Sequence, residues 1–417
     1  MKNYLSFFLI LFLFVNCSKE DNSTDNPILP EEVNLLSVST PNGFYLDEPT
    51  ISSSGHVYLT NNNGELIMES ELLNNTTSEL NKVYDIENNT YNATFLYEYI
   101  NEGFTFYRIK TFTNIQPYNL DFTGFGTKAP IKESAKVSVT NANGFLSELI
   151  FNGRIRSDNV SIDNTVFDLR LEQVPGDLYF SFRHENENFR RFLFLKNVTG
   201  NTNEIIEFQN IPKIIDHINI NYPENDNLYM YIKGSQNSDP NNFFAKLSEF
   251  HSNLGVTTTT HYFPIHLFQR FKVITNLNQS EKKFRTVVYC NSINLNYSIP
   301  NLDFQVTNNS INNYSISSSS SFDYYSAHFN YYKVDDTYSI IWIVYGEQMK
   351  NMNFILPKLT TSITKDYPDF SFDKLINHAT SLHKIEGIQT YKQFISTRLG
   401  PNSSAQHLIT KDESVTK

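Results

Sequence analysis

Two cysteines, ten histidines and 44 carboxylates are the side chains of this 417-residue sequence that could do nucleophilic, metal or acid–base chemistry. Cys290 ends the apolar run Thr286-Val287-Val288-Tyr289-Cys290, with no histidine or lysine pattern beside it to favour a thiolate. It reads as a small buried hydrophobe. His261 and His266 flank a proline-containing turn, and His378 and His383 also fall five apart. A helical pair that chelates needs a spacing of three or four, so both pairs read as structural and no metal site is expected. Glu185 with Glu187, and Asp335 with Asp336, could be cast as the two acids of a glycosidase. Both pairs sit in expected turns, and Arg183, Arg190 and Arg191 stand near the first for ordinary surface pairing. Gly124-Phe125-Gly126 opens like a dinucleotide loop, but Ala129 occupies the third glycine position and Pro130 follows. With no Gly-x-Ser-x-Gly elbow, Walker loop or His-Glu-x-x-His helix, no catalytic residue and no cofactor is assigned.

The elements that would carry such groups are strands. The sequence holds 34 Phe and 25 Tyr against one Trp, and these rings pack well on pleated surfaces. Trp342 lies in Ser339-Ile340-Ile341-Trp342-Ile343-Val344-Tyr345, apolar on both faces, and is expected in a core. Exposed tyrosines could stack on sugar rings, without the sequence singling any of them out.

An internal echo organises the N-terminal half. Val57-Tyr58-Leu59-Thr60-Asn61-Asn62-Asn63-Gly64-Glu65-Leu66 aligns without a gap on Val137-Ser138-Val139-Thr140-Asn141-Ala142-Asn143-Gly144-Phe145-Leu146. Each segment reads as a hairpin about an Asn-Gly turn, with Gly64 and Gly144 equivalent. Further strands follow both, closing in Phe112-Thr113-Asn114-Ile115 and Leu195-Lys196-Asn197-Val198. The expected fold is mainly β, with two consecutive β-sandwich-like domains, 34–118 and 119–213, followed by a larger β-rich domain, 214–400, and a polar tail, 401–417.

In the C-terminal region strands are expected at 217–220, 228–232, 268–275, 284–290, 329–334 and 338–345. Two short helices are expected among them. Asp239 and Pro240 would start the first, with Phe243, Phe244, Leu247, Phe250 and Leu254 at helical spacing before Gly255. The second would run over 369–378, with Phe372, Leu375, Ile376 and Ala379 on one face. The Asn- and Ser-rich stretch 308–321 reads as a polar loop.

The N-terminus carries an address. Lys2, the apolar run from Leu5 to Val15 and then Asn16-Cys17 follow the order of a processed export signal, 1–16, too short to cross a bilayer as a helix. Leu13-Phe14-Val15-Asn16-Cys17 resembles the lipobox of bacterial lipoproteins. The resemblance implies that Cys17 is acylated and becomes the new N-terminus, palmitate among its acyl groups, and several acyl chains hold a protein firmly on a membrane. Ser18, in place of the aspartate that retains lipoproteins at the inner membrane, points to the outer membrane. Lys19-Glu20-Asp21 reads either as an acidic surface-export tag or as the start of a solvated linker, and 17–33 as a flexible tether.

A net charge of −11 excludes nucleic acid as an expected partner. The first functional reading is a non-enzymatic, membrane-anchored surface lipoprotein that acts as a binding, adhesion or assembly module toward a glycan or protein ligand. A surface polysaccharide or peptide hydrolase with its site in 214–400, and a strand-exchanging fibre subunit, are the alternatives.

Overall fold

Strands that alternate buried and exposed residues build nearly the whole molecule. A computed structural model describes residues 32–417 except 49, 86–89, 123–132, 143–145, 152–153, 161–163, 172–175, 185, 237–244, 312, 333–336, 349–351, 355–370 and 400–408. The signal, Cys17, most of the tether, Gly124 to Pro130, Gly144, Glu185, Asp239 to Phe244 and the Asp335-Asp336 pair lie outside the described residues. The protein is mainly β, with a single α-helix, Tyr391–Leu399, among the described residues.

Two seven-strand units come first and share one wiring. In the first, Thr77–Val83, Glu32–Ser39 and Tyr118–Asp121 form a sheet in that order, its last two strands parallel. Ile51–Thr60, Tyr91–Asn101 and Phe104–Ile115 line up in the sheet that faces it. The second unit repeats this with Asn164–Leu171, Glu133–Thr140 and a parallel Asn203–Glu207, faced by Leu146–Phe151, Gly176–His184 and Arg190–Val198. Only the third strand differs: Leu66–Leu72 joins Ile51–Thr60, whereas Arg154–Val160 joins Asn164–Leu171 in the other sheet. Leu36, Val57, Leu59, Tyr91 and Phe112 fill the first core, and Val137, Phe167, Phe180 and Phe182 the second.

The echo between 57–66 and 137–146 is therefore out of step by one strand. The first copy is a true hairpin with Gly64 at φ 78°. In the second copy Glu133–Thr140 and Leu146–Phe151 belong to different sheets, so their connection crosses between layers. Local residues select a turn, but distant partners decide which sheet each strand joins. The closing strands do correspond. Asn114 (φ 56°) and Asn197 (φ 54°) both take the left-handed conformation, and their N–H groups donate to Asn92 Oδ1 (3.1 Å) and Asp177 Oδ1 (3.0 Å). Asparagine suits that conformation better than most residues with a Cβ.

Phe104–Ile115 does not end its sheet. It pairs in parallel with Tyr338–Glu347, and the sheet runs on through Tyr324–Tyr332, Ile376–Glu386, Lys411–Thr416, Lys282–Cys290, Arg270–Gln279 and Asn227–Ser235 to Ala245–Ser252, twelve strands in all. Segment 34–118 thus shares a sheet with the C-terminal region and is not closed at residue 118. The expected polar tail contains a central strand, Lys411–Thr416, hydrogen-bonded to Lys282–Cys290 on one side and Ile376–Glu386 on the other. Val415 in it is fully buried. One apolar residue among polar ones looked like a tail because this strand's other positions meet polar neighbours.

Neither expected α-helix forms where described. Ala245–Ser252 pairs with Asn227–Ser235, and Phe372–Lys374 is a single 3-10 turn that leads into Ile376–Glu386. Short apolar runs satisfy a helical and a strand period about equally, and pairing partners decide between them. Of the 308–321 stretch, 308–310 and 313–317 are paired, in the hairpin of Gln305–Ser310 with Asn313–Ser317, while 318–321 form a loop.

Candidate functional site

Register sets the two faces of the long sheet apart. One is apolar: Leu228, Met230, Ile232, Phe271, Leu277, Phe284, Val415, Leu382, Phe329 and Trp342 pack into the largest core. On the opposite face, the small sheet of the first unit covers Val57, Ala93 and Phe112, and the helix covers Tyr324 and Tyr345. The remainder of that face carries polar residues around the buried Ile274 and Val287, which the pairing sets level with Tyr231, and Glu249 beside Tyr231 accepts from the Tyr229 hydroxyl (2.8 Å). Tyr229, Tyr231 and Lys233 alternate with Leu228, Met230 and Ile232, and the pairing places Lys272, Arg285 and Tyr289 on the same side. Arg108 and Lys110 occupy it at the far end, next to Ile341 and Ile343.

Beneath the C-terminal end of the helix this face holds a charged network. Phe394 stacks on Tyr324 (3.6 Å between centroids), and Tyr324 stacks in turn on His383 (4.3 Å). Arg398 donates to the Tyr324 hydroxyl and lies 3.5 Å from Asp412 Oδ2. His383 Nδ1 is 3.7 Å from Asp412 Oδ1, an ionic contact longer than a hydrogen bond. Burial would raise the Asp412 pKa, but His383, Arg398 and Arg285 outweigh it and hold the carboxyl below its ordinary range. Burial pushes His383 down, against the pull of Asp412. Asp412 is therefore the anion of this network.

Beside this network Arg108, Lys110, Lys233, Lys272 and Arg285 form no ion pair with a carboxylate among the described residues. Arg108 and Arg285 are exposed and the three lysines half-buried. Burial first, and then the cations Arg398 and Arg108, push Lys110 below its ordinary value. Burial with Lys272 and Lys246 does the same to Lys233, and burial with Arg285 to Lys272. The Lys272 ammonium sits 4.8 Å over the Tyr289 ring. In a chain of net charge −11, this face concentrates cations that repel one another. The arrangement suits a ligand that brings negative charge and flat, partly apolar rings.

Ser326 Oγ is 3.3 Å from His383 Nε2, which completes a Ser-His-Asp sequence of contacts with Asp412. It lacks the rest of an acyl-transfer centre. Ser326 is 2 % exposed inside a strand paired on both sides, so its neighbouring N–H groups are committed to the ladder and not to an oxyanion.

The residues singled out from sequence lie elsewhere, apart from His383. His261 is fully buried, with its ring nitrogens on the hydroxyls of Ser248 (2.9 Å) and Thr259 (2.6 Å), and burial pushes its pKa down to about 4. His266 is exposed and pairs with Asp216. His378 is exposed, apart from its half-buried neighbour His383. Glu187 forms a partly buried bidentate pair with Arg191. Burial raises the Cys290 thiol pKa. Trp342 is fully buried and donates to Thr111 Oγ1 (2.9 Å). The cationic face was not singled out from sequence, although Tyr-x-Tyr-x-Lys over 229–233 and Lys272 between Phe271 and Val273 carry a period of two. No protein-family model and no curated protein matches the chain.

Proposed function

We propose that this chain is a lipid-anchored protein of the outer membrane and a non-enzymatic binding module, whose ligand lies across the open polar face of the twelve-stranded sheet.

 

The observation that supports this reading is the contrast between the faces of one sheet. One face is sealed in the largest core, while the other leaves Tyr229, Tyr231, Lys233, Lys272, Arg285 and Tyr289 side by side, with no apolar cluster packed over them among the described residues. Half-exposed tyrosines on a rigid strand scaffold are suited to stack on sugar rings, and a rigid sheet holds them in place at little entropic cost. The lipobox resemblance at Cys17 supplies the anchor, and the tether behind it gives the sheet room to meet a ligand beyond the membrane surface.

A glycan array probed with the detergent-solubilised full chain tests the reading. Retention on some glycans is expected, and Tyr231→Ala with Tyr289→Ala should weaken it by about thirtyfold, since each lost stacking contact is worth roughly 1 kcal/mol. Unchanged retention in the double variant would place the ligand elsewhere, and no retention on any glycan would remove the glycan reading.

A further inference from the structure

We propose that the ligand of this face is a polyanionic polysaccharide, an extended acidic glycan whose carboxylate or sulfate groups meet Lys233, Lys272 and Arg285 at one end and Arg108 and Lys110 at the other. This rests on the binding-module reading above and adds the chemistry of the ligand.

The argument begins with position. Lys233, Lys272 and Arg285 stand on three adjacent strands, Asn227–Ser235, Arg270–Gln279 and Lys282–Cys290. Arg108 and Lys110 stand on Phe104–Ile115, five strand spacings beyond Lys282–Cys290 in the same sheet. At about 4.8 Å per spacing, the two groups are roughly 24 Å apart across the strands. The register also offsets them along the strands. Lys110 is level with Ile343 and His328, while Arg285 is level with Ser414, His383 and Tyr324, two same-face steps away. The cations thus form a diagonal stripe, with Arg398 and Asp412 between its ends.

That geometry selects among anions. A small anion could satisfy one group and not the other, so a ligand that uses both must be a polymer. The centre of the stripe holds Asp412, already neutralised by Arg398, so it offers no net positive charge for a third anionic group. Nucleic acid carries about one charge per 1.7 Å of duplex axis and would press phosphates against that carboxylate and against an acidic chain. An acidic glycan spaces its charges more sparsely, and its ring faces suit Tyr231 and Tyr289 between them. An anionic membrane is disfavoured by the net charge of −11.

The test measures binding of the detergent-solubilised full chain to polygalacturonate, dextran sulfate, neutral dextran and single-stranded oligodeoxythymidylate. Retention by at least one of the two acidic glycans is expected, falling at least about tenfold as salt rises from about 50 to 300 mM, because screening shortens the reach of exposed charges. Arg108→Glu and Arg285→Glu lie at opposite ends of the stripe and are exposed, so the fold should tolerate both. Each should weaken binding by about tenfold if the polymer engages both ends. Lys392→Glu, away from the stripe on the helix, serves as the control and should bind as the parent does. Salt-independent retention on neutral dextran would overturn the charge argument and leave the binding-module reading standing. Preference for the oligodeoxythymidylate would overturn the choice of polymer. Failure of both acidic glycans to bind, or loss in only one of the two arginine variants, would overturn the inference itself.

Discussion

His261 illustrates what a buried polar side chain does for this protein. Its ring is held neutral between Ser248 and Thr259, with a pKa near 4 against an ordinary 6.5. Between those values the unfolded chain binds a proton that the folded chain refuses, so stability falls as pH drops through that window and is fully present above it. The shift corresponds to about 3 kcal/mol. Urea midpoints at pH 7.5 and pH 4.5 should differ for the parent and draw together in His261→Gln; equal slopes for both would assign the acid sensitivity to other groups. Trp342 gives a second residue-scale prediction. Thr111→Val removes the acceptor of its indole N–H and the partner of the Thr94 hydroxyl (2.9 Å), leaving two buried polar groups unpaired. A loss of about 2 to 4 kcal/mol is expected, read from urea unfolding followed by the fluorescence of the sole tryptophan. The burial of Trp342 was legible because its neighbours are apolar at every position. The stripe was not, since its five cations come from four strands that are distant in sequence.

At the scale of elements, the strands of the C-terminal region were legible and the helices were not. A run of aromatic and aliphatic residues marks 228–232, and a β-branched apolar run marks 284–290, without help from any partner. The helix Tyr391–Leu399 is short but carries Tyr391, Phe394, Ile395 and Leu399 at helical spacing, and its start is written in Thr390-Tyr391-Lys392-Gln393, a capping box. Thr390 Oγ1 accepts from the Gln393 N–H (3.2 Å), and Gln393 Oε1 accepts from the Thr390 N–H (3.3 Å). Thr390→Ala should cost about 1 kcal/mol and, by loosening the helix over Tyr324, raise hydrogen exchange in the amides of 391–399 first. The matched asparagines at 114 and 197 make a sharper prediction. Valine at either position must enter the left-handed region at a cost of roughly 1 to 2 kcal/mol, whereas glycine should be tolerated. Thermal midpoints of Asn197→Val and Asn197→Gly separate the two, and equal losses would mean that the side chain matters more than the backbone conformation.

At the scale of the whole molecule, Lys411–Thr416 joins two groups of strands, four on one side and seven on the other. Proline at Val415 removes a ladder donor and a fully buried side chain, so Val415→Pro should cost about 3 kcal/mol or more and expose amides in both Lys282–Cys290 and Ile376–Glu386. Exposure on one side alone would show that the sheet is held together elsewhere. Every strand that this one touches precedes it in the chain, and so do all the other members of the sheet. During vectorial synthesis the long sheet therefore cannot close until residue 416 has emerged, and the two groups of strands wait with open edges until then. Under the export proposed from the lipobox resemblance, late closure would be an advantage: the segment that locks the sheet would be delivered only after the strands it locks have passed.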